Sequence, residues 1–174
     1  MDYPGMLLHG AQQQGGKERA DMDSRIVIRH AEEKDLETVI KIDAAVSIDL
    51  YGTVVDKVAY WQGIFDYFVR RIKEKRYFLV AELDREVVGF IVGEARAWEF
   101  GSPLCGWVFA VEVYPGTRTM GIGQQMFREI CQRLRKTGVS TVRTMVDIDN
   151  KVTLSFYRSQ GMRTGRNIEM EMQI

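Results

Sequence analysis

The residues best suited to chemistry in this chain lie between Val108 and Lys136. The run RTMGIG, Arg118 to Gly123, holds two glycines two residues apart and one full positive charge. Gly121 and Gly123 carry no side chains to keep phosphates away from backbone N–H groups. From Gln124 onward Met126, Phe127, Ile130 and Leu134 recur on one face, with Arg128, Gln132, Arg133 and Lys136 elsewhere, which predicts a helix. Before the loop, Val108 to Val113 reads as a strand, halted by Pro115 and Gly116. A helix N-terminus behind a glycine loop offers unpaired N–H groups and the positive end of a dipole. Together these residues make an anion cradle, suited to a pyrophosphate. Glu112 is a second point of interest, because a charge inside an otherwise apolar strand needs a reason.

The details narrow the ligand. A nucleotide P-loop closes its glycine run with a Lys-Ser/Thr pair, whereas Gly123 is followed by Gln124 and Gln125. The dinucleotide fingerprint wants a third glycine where this chain has Met126. What remains resembles a signature of the GNAT N-acetyltransferase superfamily: Gln or Arg, two residues, Gly, one residue, then Gly or Ala. Val113 and Pro115 before it, and the isoleucine inside GIG, extend the match. A second motif follows the same family pattern: Asn150, then Phe156-Tyr157, then Gly161-Met162. The resemblance covers approximately Arg25 to Ile174.

That resemblance implies acetyl-CoA as co-substrate, with no metal. Backbone groups of Val111 and Val113 would pair with the pantetheine arm, and Asn150 would touch it from the other side. Arg118, Thr119, Met120, Gly121, Ile122, Gly123 and Gln124 would hold the pyrophosphate. Tyr157 would point at the thioester sulfur. The acceptor would be an amine, of a small molecule or a protein. The fold it implies is α/β: a mixed, mostly antiparallel sheet with a parallel pair splayed around the acetyl-CoA site, flanked by helices. Family members often form homodimers.

The chemistry stands on its own terms. An amine attacking a thioester gives an oxyanion, which a backbone N–H at the end of the central strand could stabilise. Free thiols titrate near about 8.5 and tyrosine near about 10, so full donation from Tyr157 is uphill by roughly 2 kcal/mol. Tyr157 is therefore expected first as a hydrogen-bond donor to the developing thiolate. Many family members place a glutamate about eleven residues before the Arg118 position, and here that residue is Trp107. Glu112 is the first candidate for the base, although strand alternation turns it away from Val111 and Val113 unless a bulge redirects it. Glu94, Glu99, Asp147 or a relaying water are the alternatives. A non-catalytic acyl-CoA-binding or sensing domain is a second reading that the missing glutamate leaves open. A different nucleotide-binding enzyme using the same cradle is a third.

The remaining elements must position these groups. Arg25 to Arg29 alternates apolar and basic residues and predicts a first strand. A helix is expected over Lys34 to Ala45, with Leu36, Val39 and Ile40 buried, and another over Asp56 to Lys73, with Asp56 as N-cap. Ser47 to Val55 is irregular, and the resemblance puts an acceptor-binding loop there. Tyr77 to Leu83 and Glu86 to Arg96 predict a hairpin turning at Asp84-Arg85, followed by a loop over Trp98 to Gly106. After Gly138 come a strand over Val139 to Val146, a polar Asp147 to Asn150, a short helix over Thr153 to Gln160 and a terminal strand from Ile168 to Ile174. The connection between Met162 and Ile168 is short. It implies an open acceptor groove walled by Ser47 to Val55 and Trp98 to Gly106.

Composition bounds the rest. The 174 residues are 45% hydrophobic, and Lys+Arg and Asp+Glu balance at 24 each. Neither nucleic acid nor an anionic membrane is expected as partner, and no apolar run reaches the roughly 18 residues of a span. Cys105 and Cys131 stand in no metal-type spacing, and no secretory signal is read, which suggests a cytoplasmic protein. Met1 to Ser24, with GAQQQGG inside it, reads as a disordered tail ahead of one domain over residues 25–174.

Overall fold

The computed structural model describes residues 25–70, 74–97, 101, 103–166 and 171–173. The tail expected over residues 1–24 lies outside the described residues. These residues form two compact units, one up to Arg143 and one from Thr144.

The first unit is a five-stranded sheet in sequence order: β1 (Ile26–His30), β2 (Arg76–Leu83), β3 (Glu86–Arg96), β4 (Cys105–Val113) and β5 (Val142–Arg143). The first four strands are antiparallel, and β4 and β5 form a parallel pair. The sheet is the mixed, mostly antiparallel one expected. Its hairpin turns at Asp84 and Arg85, with φ of 52° and 74°. Two successive left-handed residues give the tight turn whose twist matches the flanking strands.

Helices cover both faces. On one side lie α1 (Leu36–Tyr51) and α2 (Val58–Phe65), which continues as a π-helical turn over Asp66–Arg70. Val39, Ile42, Trp61 and Phe65 pack there against Phe78, Val80, Phe90 and Val92. On the other side lies α3 (Ile122–Lys136), whose Ile122, Met126, Ile130 and Leu134 are buried. It can come close because β3 is small beneath it. A Cβ on Gly93 would stand 3.0 Å from Ile130 Cδ1 and 2.5 Å from the Trp107 carbonyl oxygen.

Several expected boundaries move. α1 runs on to Tyr51, so the irregular stretch shrinks from the front, and Gly52 caps it at φ 70° with its N–H on the Ile48 carbonyl at 2.9 Å. The buried face of α1 is also rotated: Val39, Ile42, Asp43, Val46 and Ser47 are buried, while Leu36 and Ile40 are only partly so. Lys57, not Asp56, is the N-cap of α2, and Asp56 accepts from the Val58 N–H at 3.0 Å. The strand expected over Val139 to Val146 pairs only at Val142 and Arg143. The terminal strand falls mostly outside the described residues, and 171–173 are not in a strand.

The second unit holds α4 (Lys151–Ser159). Asn150 is its N-cap, with Oδ1 accepting the Thr153 N–H at 2.9 Å. Gly161 closes it at φ 85°, and the Met162 N–H reaches the Tyr157 carbonyl at 3.1 Å.

Candidate active site

The cradle forms as its glycines require. Pro115–Met120 makes a 3-10 turn, and Gly121 at φ 74° hands the chain to α3. The helix therefore starts two residues earlier than its apolar period implies, at Ile122. Gln125 N–H makes the first backbone bond, to the Gly121 carbonyl at 3.1 Å. The N–H groups of Ile122, Gly123 and Gln124 thus precede the helical ladder, and no side chain caps them. A Cβ on Gly121 would meet nothing within 4 Å, so the cradle is open on that side. An anion fits here. Arg118 stands at the same turn, with its guanidinium in an ion pair with Asp49 of α1.

β4 supplies the next part. It pairs with β5 only at Gly106 and Trp107. From Val108 onward, on the side away from β3, it has no strand partner among the described residues, and Val111 and Val113 lie along this open edge. A bulge interrupts the other side. Val92 pairs with Ala110 and Gly93 with Val108, leaving Phe109 as the extra residue.

The bulge decides where Glu112 points. Gly93, the partner of Val108, sits under Ile130 of α3. Strict alternation from Val108 would put residue 112 on that same face. The extra residue reverses the phase, so Glu112 pairs with Phe90, which belongs to the core beneath α1 and α2. There it meets Asp43 of α1, with Lys57 and Arg118 also within electrostatic range.

This corner is unusual in its protonation. Asp43 is 3% exposed, and its Oδ1 accepts from Lys57 Nζ at 2.7 Å. Glu112 Oε2 is buried and has no hydrogen-bond partner among the described residues. Burial, and then the neighbouring Asp43 carboxylate, push the Glu112 carboxyl up to about 8, against the opposing pull of Lys57 and Arg118. Burial works against the charge of Lys57, but the Asp43 hydrogen bond and the negative charge of its neighbours together outweigh it and raise that pKa. A carboxyl that releases its proton near neutral pH is equipped to act as a general base.

The other acids are differently placed. Glu94 is held by Arg76 at 3.4 Å and Arg96 at 3.5 Å, and accepts from the Tyr67 hydroxyl at 3.3 Å. Asp147 is exposed and accepts the Asp149 N–H at 2.9 Å, a local turn. Glu99 lies outside the described residues. Trp107, at the family's glutamate position, is buried, and its indole N–H has no partner among the described residues.

In the second unit, Tyr157 is buried and packs edge-to-face on Phe156 at 5.2 Å. Burial raises its hydroxyl pKa, and a hydrogen bond with Thr144 opposes the rise without cancelling it. Its environment therefore disfavours full proton donation and leaves hydrogen bonding as its stronger capability.

The acetyltransferase (GNAT) family model matches residues 48–162, well over half the sequence and including the cradle, Glu112 and α4. The chain belongs to this family. Among curated relatives, the L-2,4-diaminobutyric acid acetyltransferase of Nocardia farcinica is 29% identical over 90 residues, covering 52% of this chain and 45% of that protein. The mycothiol acetyltransferase of Streptomyces avermitilis is 32% identical over 87 residues, covering 50% and 27%. The match spans less than half the length of either relative. Among solved structures, the PaiA N-acetyltransferase of Thermoplasma acidophilum with coenzyme A superposes at a TM-score of 0.69, with 23% identity over 82% of this chain and 92% of that one. An aminoglycoside N-acetyltransferase with CoA gives 0.70, with 12% identity over 85% and 94%. The sheet with its splayed parallel pair is therefore the GNAT fold. Among the described residues, no helix is long and apolar enough to cross a membrane.

The sequence pointed to Glu112 and to the cradle. It missed Asp43 and Lys57, although an acid standing one turn from both Val39 and Ser47 on the buried stripe of α1 was a readable signal.

Proposed function

We propose that this protein is an acetyl-CoA-dependent N-acetyltransferase that moves the acetyl group directly to an amine, with Glu112 as the general base. The observation that carries this reading is the Glu112 carboxyl, poised near neutral pH on β4 a few residues before the cradle. The first-turn N–H groups of α3, Gly121 and Arg118 suit the pyrophosphate, and the open edge beside Val111 and Val113 suits an extended arm. Bound acetyl-CoA supplies the thioester. Ionised Glu112 takes the proton of the acceptor ammonium. The freed amine forms the C–N bond as the C–S bond breaks, and its second proton passes to the departing thiolate, which leaves as free thiol. Tyr157 donates a hydrogen bond to that thiolate, and Asn150 contributes to holding the arm; both roles rest on the family motif.

Glu112 matters most for acceptors that are hard to deprotonate. A lysine-type amine near pKa 10.4 is about 3.4 units from neutral at pH 7, a deficit of roughly 4.6 kcal/mol. An α-amino group near 7.8 lacks only about 1 kcal/mol. Exposed Ile48, Tyr51, Val54 and Val55 give the expected acceptor wall an apolar surface. The named substrates of the relatives, diaminobutyrate and aminoglycosides, make small polyamines the first acceptors to try.

Thiol release is measured on a panel of amines that includes L-2,4-diaminobutyrate and an aminoglycoside. CoA should also raise thermal stability, by about 2.7 kcal/mol at about 100 times Kd. Gly123→Asp puts a carboxylate at the first turn of α3 and should abolish that gain in a folded protein; unchanged CoA affinity would remove the cradle assignment. A second reading, a non-catalytic acyl-CoA sensor, is favoured by Trp107 at the family's glutamate position. CoA stabilisation without thiol release from any amine would select it.

A further inference from the structure

The Asp43 and Lys57 pair has no part in the fold that its surroundings explain. Asp43 is buried among Val39, Ile42 and Val46, where an apolar residue would pack at no desolvation cost. Its ion pair reaches across to Lys57, whose side chain is still 37% exposed. Opposite it lies Glu112, within hydrogen-bonding reach. Two ionised carboxylates share no proton, so that contact is attractive only while one of them keeps its own. Lys57 settles which one: its ammonium stabilises the Asp43 carboxylate directly, leaving the proton on Glu112. A buried Glu112 Oε2 with no donor among the described residues disfavours the ionised form of that carboxyl.

We propose that Asp43 is a positioning residue for Glu112, accepting the proton of its carboxyl and fixing its orientation, with Lys57 holding Asp43 in place through their ion pair. This rests on the reading of Glu112 as the base. When Glu112 ionises, like charge between the two carboxylates favours its taking a proton back from an incoming ammonium. The proton moves from the acceptor nitrogen to Glu112 and then to solvent. The groups facing Glu112 are Asp43 from α1, Lys57 and Tyr60 from the start of α2, and Arg118 from the turn after β4; its cross-strand neighbour Phe90 carries no charge.

The test reads the carboxyl itself, so it needs no acceptor. The full chain is labelled with glutamate bearing 13C at Cδ, and the resonance lost in Glu112→Gln assigns Glu112. Its titration midpoint should fall to about 6 or lower in Asp43→Asn, where the neighbouring negative charge is gone. It should rise above the wild-type value in Lys57→Gln, a milder change at a half-exposed site. A midpoint unmoved in both variants overturns the proposal. The acid limb of kcat/KM against pH is then recorded for the panel amine with the fastest thiol release. A limb that moves with the midpoint supports the positioning role, which a merely structural Asp43 would not produce. A midpoint that moves under a fixed limb overturns Glu112 as the base and, with it, any catalytic role for Asp43.

Discussion

Two acids on the same unit have opposite surroundings. Asp35, in the 3-10 turn Glu33–Asp35 that precedes α1, takes two guanidinium bonds from Arg29, at 2.6 and 2.9 Å, and the Glu32 N–H at 2.8 Å. Burial alone would push its carboxyl up, but these donors outweigh it and hold the pKa below its ordinary value. Arg29 also reaches Glu82 on β2 at 2.6 Å. Every charge in that corner has a partner. Glu112 is only partly buried, with a carboxylate beside it and one buried oxygen that has no donor among the described residues. The first corner spends its polar groups on fixing β1 against the sheet. The second keeps a proton available. Satisfied networks hold structure in place, and unsatisfied ones are held in place by structure.

The sharpest way to break the contrast is Glu112→Gln. It should lower kcat/KM for lysine-type amines by about 100-fold or more, and for α-amines much less, since those need little help losing a proton. Steady-state rates on both amine classes check this, and equal losses would remove Glu112 from the mechanism. Asp35→Asn should do the reverse. Removing Asp35's charge leaves Arg29 with Glu82 alone and weakens the acceptor of the Glu32 N–H, so stability should fall by roughly 1–3 kcal/mol in chemical denaturation while kcat per folded molecule holds.

pH separates the two acids by sign. Glu112 binds its proton more tightly in the folded protein than its ordinary 4.5, so its contribution is fully present below that value and is lost as pH rises through about 8. Asp35 has its folded pKa lowered, so its contribution is present above its ordinary 3.8 and is lost as pH falls through the depressed value. Melting temperatures of wild type should decline from pH 5 to 8.5 on account of Glu112, and Glu112→Gln should flatten that decline. The smallest expected effect is at Asp49, whose carboxylate competes with a pyrophosphate for Arg118. Asp49→Ala should tighten CoA binding by roughly 2- to 5-fold, as an exposed pair is worth about 1 kcal/mol or less. Calorimetry at two salt concentrations measures it.

What could be read from the sequence depended on how strongly each stretch was constrained. β3 spans Glu86–Arg96 as expected, because a two-residue polar turn between apolar runs fixes both of its neighbours. The turn into α3 was legible because glycine at Gly121 answers a backbone need, φ 74°, that few other residues meet. α1 was underestimated because Ser47 and Asp49 look like loop residues, while the real stop is the left-handed Gly52. The bulge at Phe109 left no trace: Val108, Phe109, Ala110 and Val111 are all apolar, so alternation has nothing to mark its own phase. Asp43 was passed over because acids on a helix are usually solvated, and only the tertiary fold brings Lys57 and β4 against it.

Phe109 carries a consequence at the level of the gene. Loss of one codon between Val108 and Ala110 would leave every side chain of the site encoded and the reading frame intact. It would close the bulge without shifting the phase: Gly93 would still face Val108 and Val92 would still face Ala110, so Glu112 would stay opposite Phe90 on the α1 side. A lineage could thus lose or regain the bulge by a single short deletion or insertion and keep this acid in place. Position-by-position comparison of β4 sequences, counted from the start of the strand, would then misalign the carboxylates of proteins whose strands differ by that one residue.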